Sequence, residues 1–461
     1  MLFIKQNQPI HNTKSFCLLV KSTEFLIYKN SAKMIENPLS SSESHLLHAL
    51  YSNKTNKEDF TLIWLDKTLD KDVNDSRQIS KLCQAVDDLK TYVDLNECEN
   101  YIRSHENENI IFVVSGTYGQ VIVPNIHDLK QIKRIYVFCL NKASHIEWAK
   151  NYIKVNNSVF TQTEQLFESL KPYIRQYQQN LLVQKSIVDI TNKTADFKWA
   201  RLLIDTLILL PPEPEAKLEM IRTLEKNYYD NQAQLKFINE FAKNEKNESA
   251  VTWYTKEGCI YKIVNRVFRE EQIDEIYNYR AFVKELSEQI NQLYIEQINL
   301  YRDWGIPEIT VHRGVGLANH DIEILKSNMG QLISFNGFVS TSPDEGLALS
   351  FLHGQYGSAD LMPVLFAYKI AIDVDTIAFA EITQISAMNE GREVLFNPGA
   401  IFKIEQVEYK NEQNMWQVTL SLCEKNFMVG QHYIQVPMLK SSSTDNLLLF
   451  GSLLIDAGQH S

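Results

Sequence analysis

The sequence predicts a multidomain chain, with an N-terminal α/β module on a parallel sheet and a C-terminal α+β module in which helices precede a two-sheet β core. Three observations carry this. Between residues 59 and 180, short apolar runs alternate with amphipathic stretches, the pattern of strands buried on both faces and separated by covering helices. Pro211, Pro212 and Pro214 then break the chain, since none fits a helix interior. Beyond them, apolar spacings of three and four give way after Trp304 to strand-like runs, the helices-then-strands order of an α+β fold.

Taken in order, residues 1–58 read as an unassigned leader that ends in the polar runs SSSESH and YSNKTNKED. FTLIWL (60–65), IIFVVSG (110–116), IYVFCL (135–140) and VFTQ (159–162) are the expected strands of the first module. Helices are expected near 76–89, near 144–152 and from Thr163 onward. This α/β succession over 59–180 is flavodoxin-like, and in such folds ligands bind at the carboxyl ends of the strands. Asp66 and a GTYG turn at 116–119 fall there. Asp66 stands alone where a phosphoacceptor site needs several carboxylates, and no GK[ST] follows the glycines, so a phosphate loop is not indicated. The module reads as one that docks partners or regulates. Residues 181–213 are expected to be a linker. Helices follow near 215–244, 250–266 and 271–304, then the strands ITVHRGV, ISFNGFVSTS, VLFAYKIAI, REVLF, IFKIEQVEY and WQVTLSL.

Composition limits the function. The 461 residues allow about three folding units at roughly 150 each. Hydrophobic residues at 44% and charged residues at 22% exclude collagen-like and extensively disordered chains. A net charge of −11 lacks the broad positive field of a dedicated nucleic-acid or anionic-membrane binder. Six cysteines lie far apart with no CxxC pair, which argues against a zinc site or disulfide framework and for a reducing, cytoplasmic setting. The first residues lack a signal-peptide pattern, and apolar stretches such as 202–210 and 447–455 fall short of the ~20 residues a bilayer span needs.

In the second module, Arg313 sits in VHRGV on an apolar strand ending at Gly314, Ser340-Thr341-Ser342 closes GFVSTS, and Glu393 opens EVLF. Arg313 and Ser340 are 27 residues apart, and Ser340 and Glu393 are 53 apart. In this order and with these flanks the three resemble the Arg-Ser-Glu signature of the mono-ADP-ribosyltransferases. VTWYTKEGCIYKIVNRVFR (251–269), FNGFVSTSPDEGLALSFL (335–352) and EVLFNPGAIFKI (393–404) also look like segments of that family, and the resemblance covers 214–425. It implies an ADP-ribosyltransferase fold, NAD+ (or NADP+) as substrate, a protein acceptor that is nominally arginine, and no metal.

The resemblance also implies roles. Cleaving NAD+ leaves an oxocarbenium-like ribosyl centre whose developing charge must be stabilised, and Glu393 is the carboxylate that matches. Arg313, with Gly314 beside it, would hold the diphosphate with a planar, permanently charged donor fork. Ser340 would orient the ribose and Glu393, and Phe351 is a candidate to stack on nicotinamide or, equally, a helix core residue. Two departures stand out. The arginine-modifying branch carries Glu or Gln two residues before the catalytic Glu, where this chain has Gly391; Glu390, one step further, is the candidate substitute. His312 replaces an aromatic. An NAD+ glycohydrolase using the same site and a non-catalytic scaffold remain the alternatives. After a polar linker within 426–461, LLLFGSLLIDAGQHS resembles the first helix of a tetratricopeptide repeat through Gly451, Leu454 and Gly458, or else is an amphipathic helix that packs on the transferase. The tail and the first module are the expected surfaces for protein partners.

Overall fold

The computed structural model describes residues 60–68, 86, 88–155, 157–192, 214–229, 231–270, 273–335, 337–352, 361–374, 378–387 and 391–424. The leader, the repeat-like tail and Glu390 lie outside the described residues.

In the N-terminal region β1 (Thr61–Leu65), β2 (Leu89–Tyr92), β3 (Ile110–Ser115), β4 (Ile132–Phe138) and β5 (Val159–Phe160) form one parallel sheet in the order β2-β1-β3-β4-β5. The helices α1 (Leu95–Ser104), α2 (Gly116–Ile126) and α3 (Ala143–Ala149) connect its strands, and α4 (Thr163–Asn192) leaves β5. β1 is buried along its whole length, which is why it reads as a continuous apolar run. Side chains alternate between faces: Ile63, Phe112 and Val114 pack with Cys98 and Ile122, whereas Leu62, Trp64 and Val113 pack with Leu166, Leu170 and Ile174 of α4.

Three local expectations change. Leu89 opens a strand instead of ending a helix, because it pairs with Leu62 of β1; the rest of the helix expected near 76–89, apart from 86 and 88, lies outside the described residues. GTYG is the first turn of α2, with Ser115 as its extended N-terminal flank, not a free turn. The stretch expected as a linker from 181 is helical through Asn192, because Val183 and Ile187 bury on the C-terminal sheets.

The C-terminal region begins with α5 (Pro214–Asn227), α6 (Gln232–Lys243), α7 (Ala250–Thr255), α8 (Cys259–Arg269), α9 (Ile273–Asn278) and α10 (Arg280–Asp303). Pro214 stands at the first helical position, where its missing N–H costs nothing. The helix expected over 215–244 breaks at a side-chain cap, where Asn231 accepts from Gln234 N; the one expected from 250 begins at its cap Ser249, which accepts from Thr252 N, and is interrupted before Cys259. There follow β6 (Glu308–Leu317), α11 (Asn319–Ser327), β7 (Leu332–Phe335), β8 (Val339–Thr341), α12 (Glu345–Ser350), β9 (Met362–Ala371), β10 (Phe379–Glu381), β11 (Val394–Phe396), β12 (Ala400–Lys410) and β13 (Met415–Leu422). They build a mixed five-stranded sheet, β6-β9-β13-β12-β7, and a three-stranded antiparallel sheet, β10-β11-β8.

ISFNGFVSTS is therefore two strands, β7 and β8, that belong to different sheets. Val315, Phe366 and Phe402 of the larger sheet meet Val339, Val394 and Phe396 of the smaller one. The opposite face of the small sheet turns Ala380 and Leu395 toward Val264 of α8 and Leu286 of α10. The small sheet is thus sandwiched between the large sheet and the helices. No helix of the described residues is long and apolar enough to cross a membrane.

Candidate active site

The serine triplet divides its work among three contacts. Ser340 Oγ donates to Glu393 Oε1 at 2.6 Å, the length of a charge-assisted bond from hydroxyl to carboxylate. Thr341 Oγ1 donates to the Val394 carbonyl at 2.9 Å, tying β8 to β11 beside that pair. Ser342 Oγ accepts from Asp344 N at 3.0 Å, and Asp344 caps α12 by accepting from Leu347 N. Strand register explains the first contact: Ser340 lies opposite Leu395, and Glu393, two residues earlier, shares that face. Both residues are half-buried.

Arg313 reaches this place because the outer edge of β6 is drawn onto the end of β8. His312 and Ser342 exchange both backbone hydrogen bonds, at 2.6 and 2.8 Å. Arg313, next to that bridge, is 4% exposed. At Gly314 the strand comes so close to α12 that a Cβ would lie 2.2 Å from the Ala348 carbonyl oxygen; the contact is to backbone and cannot yield by a side-chain rotation. Phe351, half-buried, follows the last turn of α12.

Tyr254 of α7 links the two charges. Burial pushes its hydroxyl well above the ordinary tyrosine value; Tyr261 and Glu393 raise it further, while the Asn265 hydrogen bond and Arg313 lower it. The ring thus lies within electrostatic reach of both Glu393 and Arg313. Burial pushes Tyr368 on β9 up to about 12, against the pull of Arg313. His312 is held below the ordinary histidine value by burial, against the pull of Glu345 and Asp344, and its buried Nδ1 has no hydrogen-bond partner among the described residues.

Glu393 is also held through its backbone. Its N–H donates to Thr383 Oγ1 at 3.1 Å, and Thr383 in turn donates to Glu381 Oε1 at 3.3 Å. Glu381 receives both Nε and Nη2 of Arg392. Gly391, where the arginine-modifying pattern places Glu or Gln, has φ +118°, and a Cβ there would meet Leu347 Cδ2 at 2.7 Å. A side chain at 391 would be strained by that backbone conformation, and the tip of Leu347 would have to turn aside. Thr383 and Tyr254 were not singled out from sequence: nothing in the TQIS context marks Thr383, and Tyr254 reads as one more apolar-face residue of 251–269.

The C-terminal region is ADP-ribosyltransferase-like: residues 223–424 match the family model described as ADP-ribosyltransferase exoenzyme. Similar solved structures include the C3 exoenzyme of Clostridium limosum, 17% identical over 41% of this chain and 91% of that one, with a TM-score of 0.29. ADP-ribosyltransferase Vis of Vibrio splendidus, in complex with agmatine, is 22% identical over 48% and 91%, TM-score 0.29. HopU1 of Pseudomonas syringae pv. tomato is 16% identical over 46% and 98%, TM-score 0.31. No curated protein matches the chain.

Proposed function

We propose that the chain is a mono-ADP-ribosyltransferase that moves ADP-ribose from NAD+ to a protein side chain, nominally arginine, with release of nicotinamide. One observation carries the reading: within the stretch that matches the exoenzyme family, Ser340 donates to Glu393 at 2.6 Å. That bond fixes the orientation of the carboxylate at one of its oxygens.

In this reading Arg313, pinned between the His312–Ser342 bridge and Gly314, receives the diphosphate, and Phe351 stacks on nicotinamide. Glu393 accepts a hydrogen bond from the ribose 2′-hydroxyl and stabilises positive charge as the bond from C1′ to the pyridine nitrogen breaks. The bonding pair leaves with nicotinamide; an acceptor nitrogen then attacks C1′ and gives up its proton. NADP+ is the alternative donor. The order β2-β1-β3-β4-β5 is that of flavodoxin-like sheets and supports that reading of 59–180. A transferase region over 214–425, partner docking through the first module and a repeat-like tail over 426–461, and a cytoplasmic location complete the proposal.

Gly391 favours a second reading, an NAD+ glycohydrolase in which water replaces the acceptor, because its backbone conformation disfavours a carboxylate at that position. The two separate on incubation with labelled NAD+ and poly-arginine. Transfer gives protein-bound, hydroxylamine-sensitive label; hydrolysis gives free ADP-ribose and no bound label. A wild-type chain that releases no nicotinamide in either arm leaves only the scaffold reading.

A further inference from the structure

The helix α4 belongs to two cores. Leu166, Leu170 and Ile174 pack on the N-terminal parallel sheet, while Val183 and Ile187 pack with β6 and its neighbours. Between the two apolar stretches stand two buried polar side chains, Gln176 at 5% and Asn180 at 3% exposure. Four residues apart on a helix, they face the same way, and both leave the helix for the walls of the candidate NAD+ site. Gln176 Nε2 donates to the carbonyl of Phe351. Asn180 Oδ1 accepts from Gly316 N at 3.1 Å.

These targets matter because β6 is an edge strand, and every second residue of an antiparallel edge points its backbone groups away from its neighbour strand. On that outer edge His312 exchanges both backbone hydrogen bonds with Ser342, and the Gly316 N–H donates to Asn180. Arg313 thus lies on a strand clamped on either side of it, and the second clamp comes from the N-terminal module. The same helix turn fixes the backbone of Phe351. A buried amide left without its acceptor is costly enough to move the strand toward another partner.

We propose that Gln176 and Asn180 are positioning residues that make the N-terminal module part of the NAD+ site, holding the Arg313 strand and the Phe351 turn at their working separation. The inference rests on the transferase reading for its ligand, but the clamp itself does not. Neither residue touches substrate; each acts through backbone that carries a group which does.

The test uses the full chain with Gln176→Met, Asn180→Leu and the double variant, which preserve bulk while removing the donor and the acceptor. Leu170→Ala, on the face of α4 that packs on the parallel sheet, is the control for general destabilisation. Nicotinamide release is followed against NAD+ concentration, with amide hydrogen exchange over 308–317 and 345–352 measured on the same samples. Each single variant is expected to raise KM for NAD+ about fivefold to tenfold, with kcat changed less than twofold, as loss of one buried hydrogen bond per variant dictates. Exchange should quicken in those two segments alone. Leu170→Ala should lower the melting temperature and leave KM where it was. Unchanged KM in the double variant, or a KM rise in Leu170→Ala that matches it, overturns the positioning role. Should the wild-type chain release no nicotinamide, the transferase reading falls and exchange alone decides the clamp: faster exchange in both segments sustains it, unchanged exchange removes it.

Discussion

Replacing Ser340 with alanine removes one atom from the candidate site and isolates a single contact, the 2.6 Å bond from Oγ to Glu393 Oε1. Hydrogen bonds to a charged partner contribute about 1.5–3 kcal/mol, and because both residues are half-buried, water replaces part of the loss. The lower end of that range, about 1.5 kcal/mol, corresponds to about a tenfold fall in rate. The fall should appear in kcat for nicotinamide release more than in KM, because the contact orients the group that meets charge in the transition state. Ser340→Thr, which keeps a hydroxyl, should retain more activity than Ser340→Ala. Glu393→Ala should cost about 3 kcal/mol or more, on the order of a hundredfold. The double variant decides the mechanism: if the hydroxyl acts through the carboxylate, Ser340→Ala on top of Glu393→Ala adds nothing. Full additivity, or an unchanged kcat in Ser340→Ala, would refute the coupling and leave Ser340 as a strand-end residue only.

Three further outcomes are expected. Gly391→Glu, the change that restores the acceptor-orienting residue of the arginine-modifying pattern, should destabilise the protein by about 1–3 kcal/mol in denaturant unfolding, given φ +118° and the contact to Leu347, and should fail to increase labelling of poly-arginine. Gly314→Ala drives a methyl group against the Ala348 carbonyl; a loss of about 1–3 kcal/mol should accompany weaker NAD+ binding by calorimetry, and an unaltered melting temperature would show that the strand can move away from α12. His312 has a folded value below its ordinary one, so below about pH 6.5 the unfolded chain binds a proton that the folded chain resists, and stability falls as pH falls through that range. His312→Phe should flatten the melting temperature between pH 7 and 5 relative to wild type; parallel curves would mean that His312 carries none of that slope.

How much of this was legible in the sequence depends on the range of the interaction. The parallel sheet was readable because β1 and β3 are apolar on both faces, so the covering helices leave their mark in the strands themselves. β2 and β10, four and three residues long, are too short for a period to register. Arg313, Ser340 and Glu393 could be picked out by residue type, order and flank, since those features lie along the chain. Thr383 could not, because its claim is a single hydrogen bond to the Glu393 amide.

The amino-acid order alone determined where apolar runs fall, and with them the α/β-then-α+β succession, because burial patterns repeat at the local periods of helix and strand. Only the tertiary structure decided that ISFNGFVSTS divides between two sheets, that Gly391 takes a positive φ with Leu347 beside it, and that one helix of the first module reaches Gly316 and Phe351 through Asn180 and Gln176. Those outcomes are contacts between residues far apart along the chain. No local period encodes them, since each depends on where the partner's backbone has already been placed.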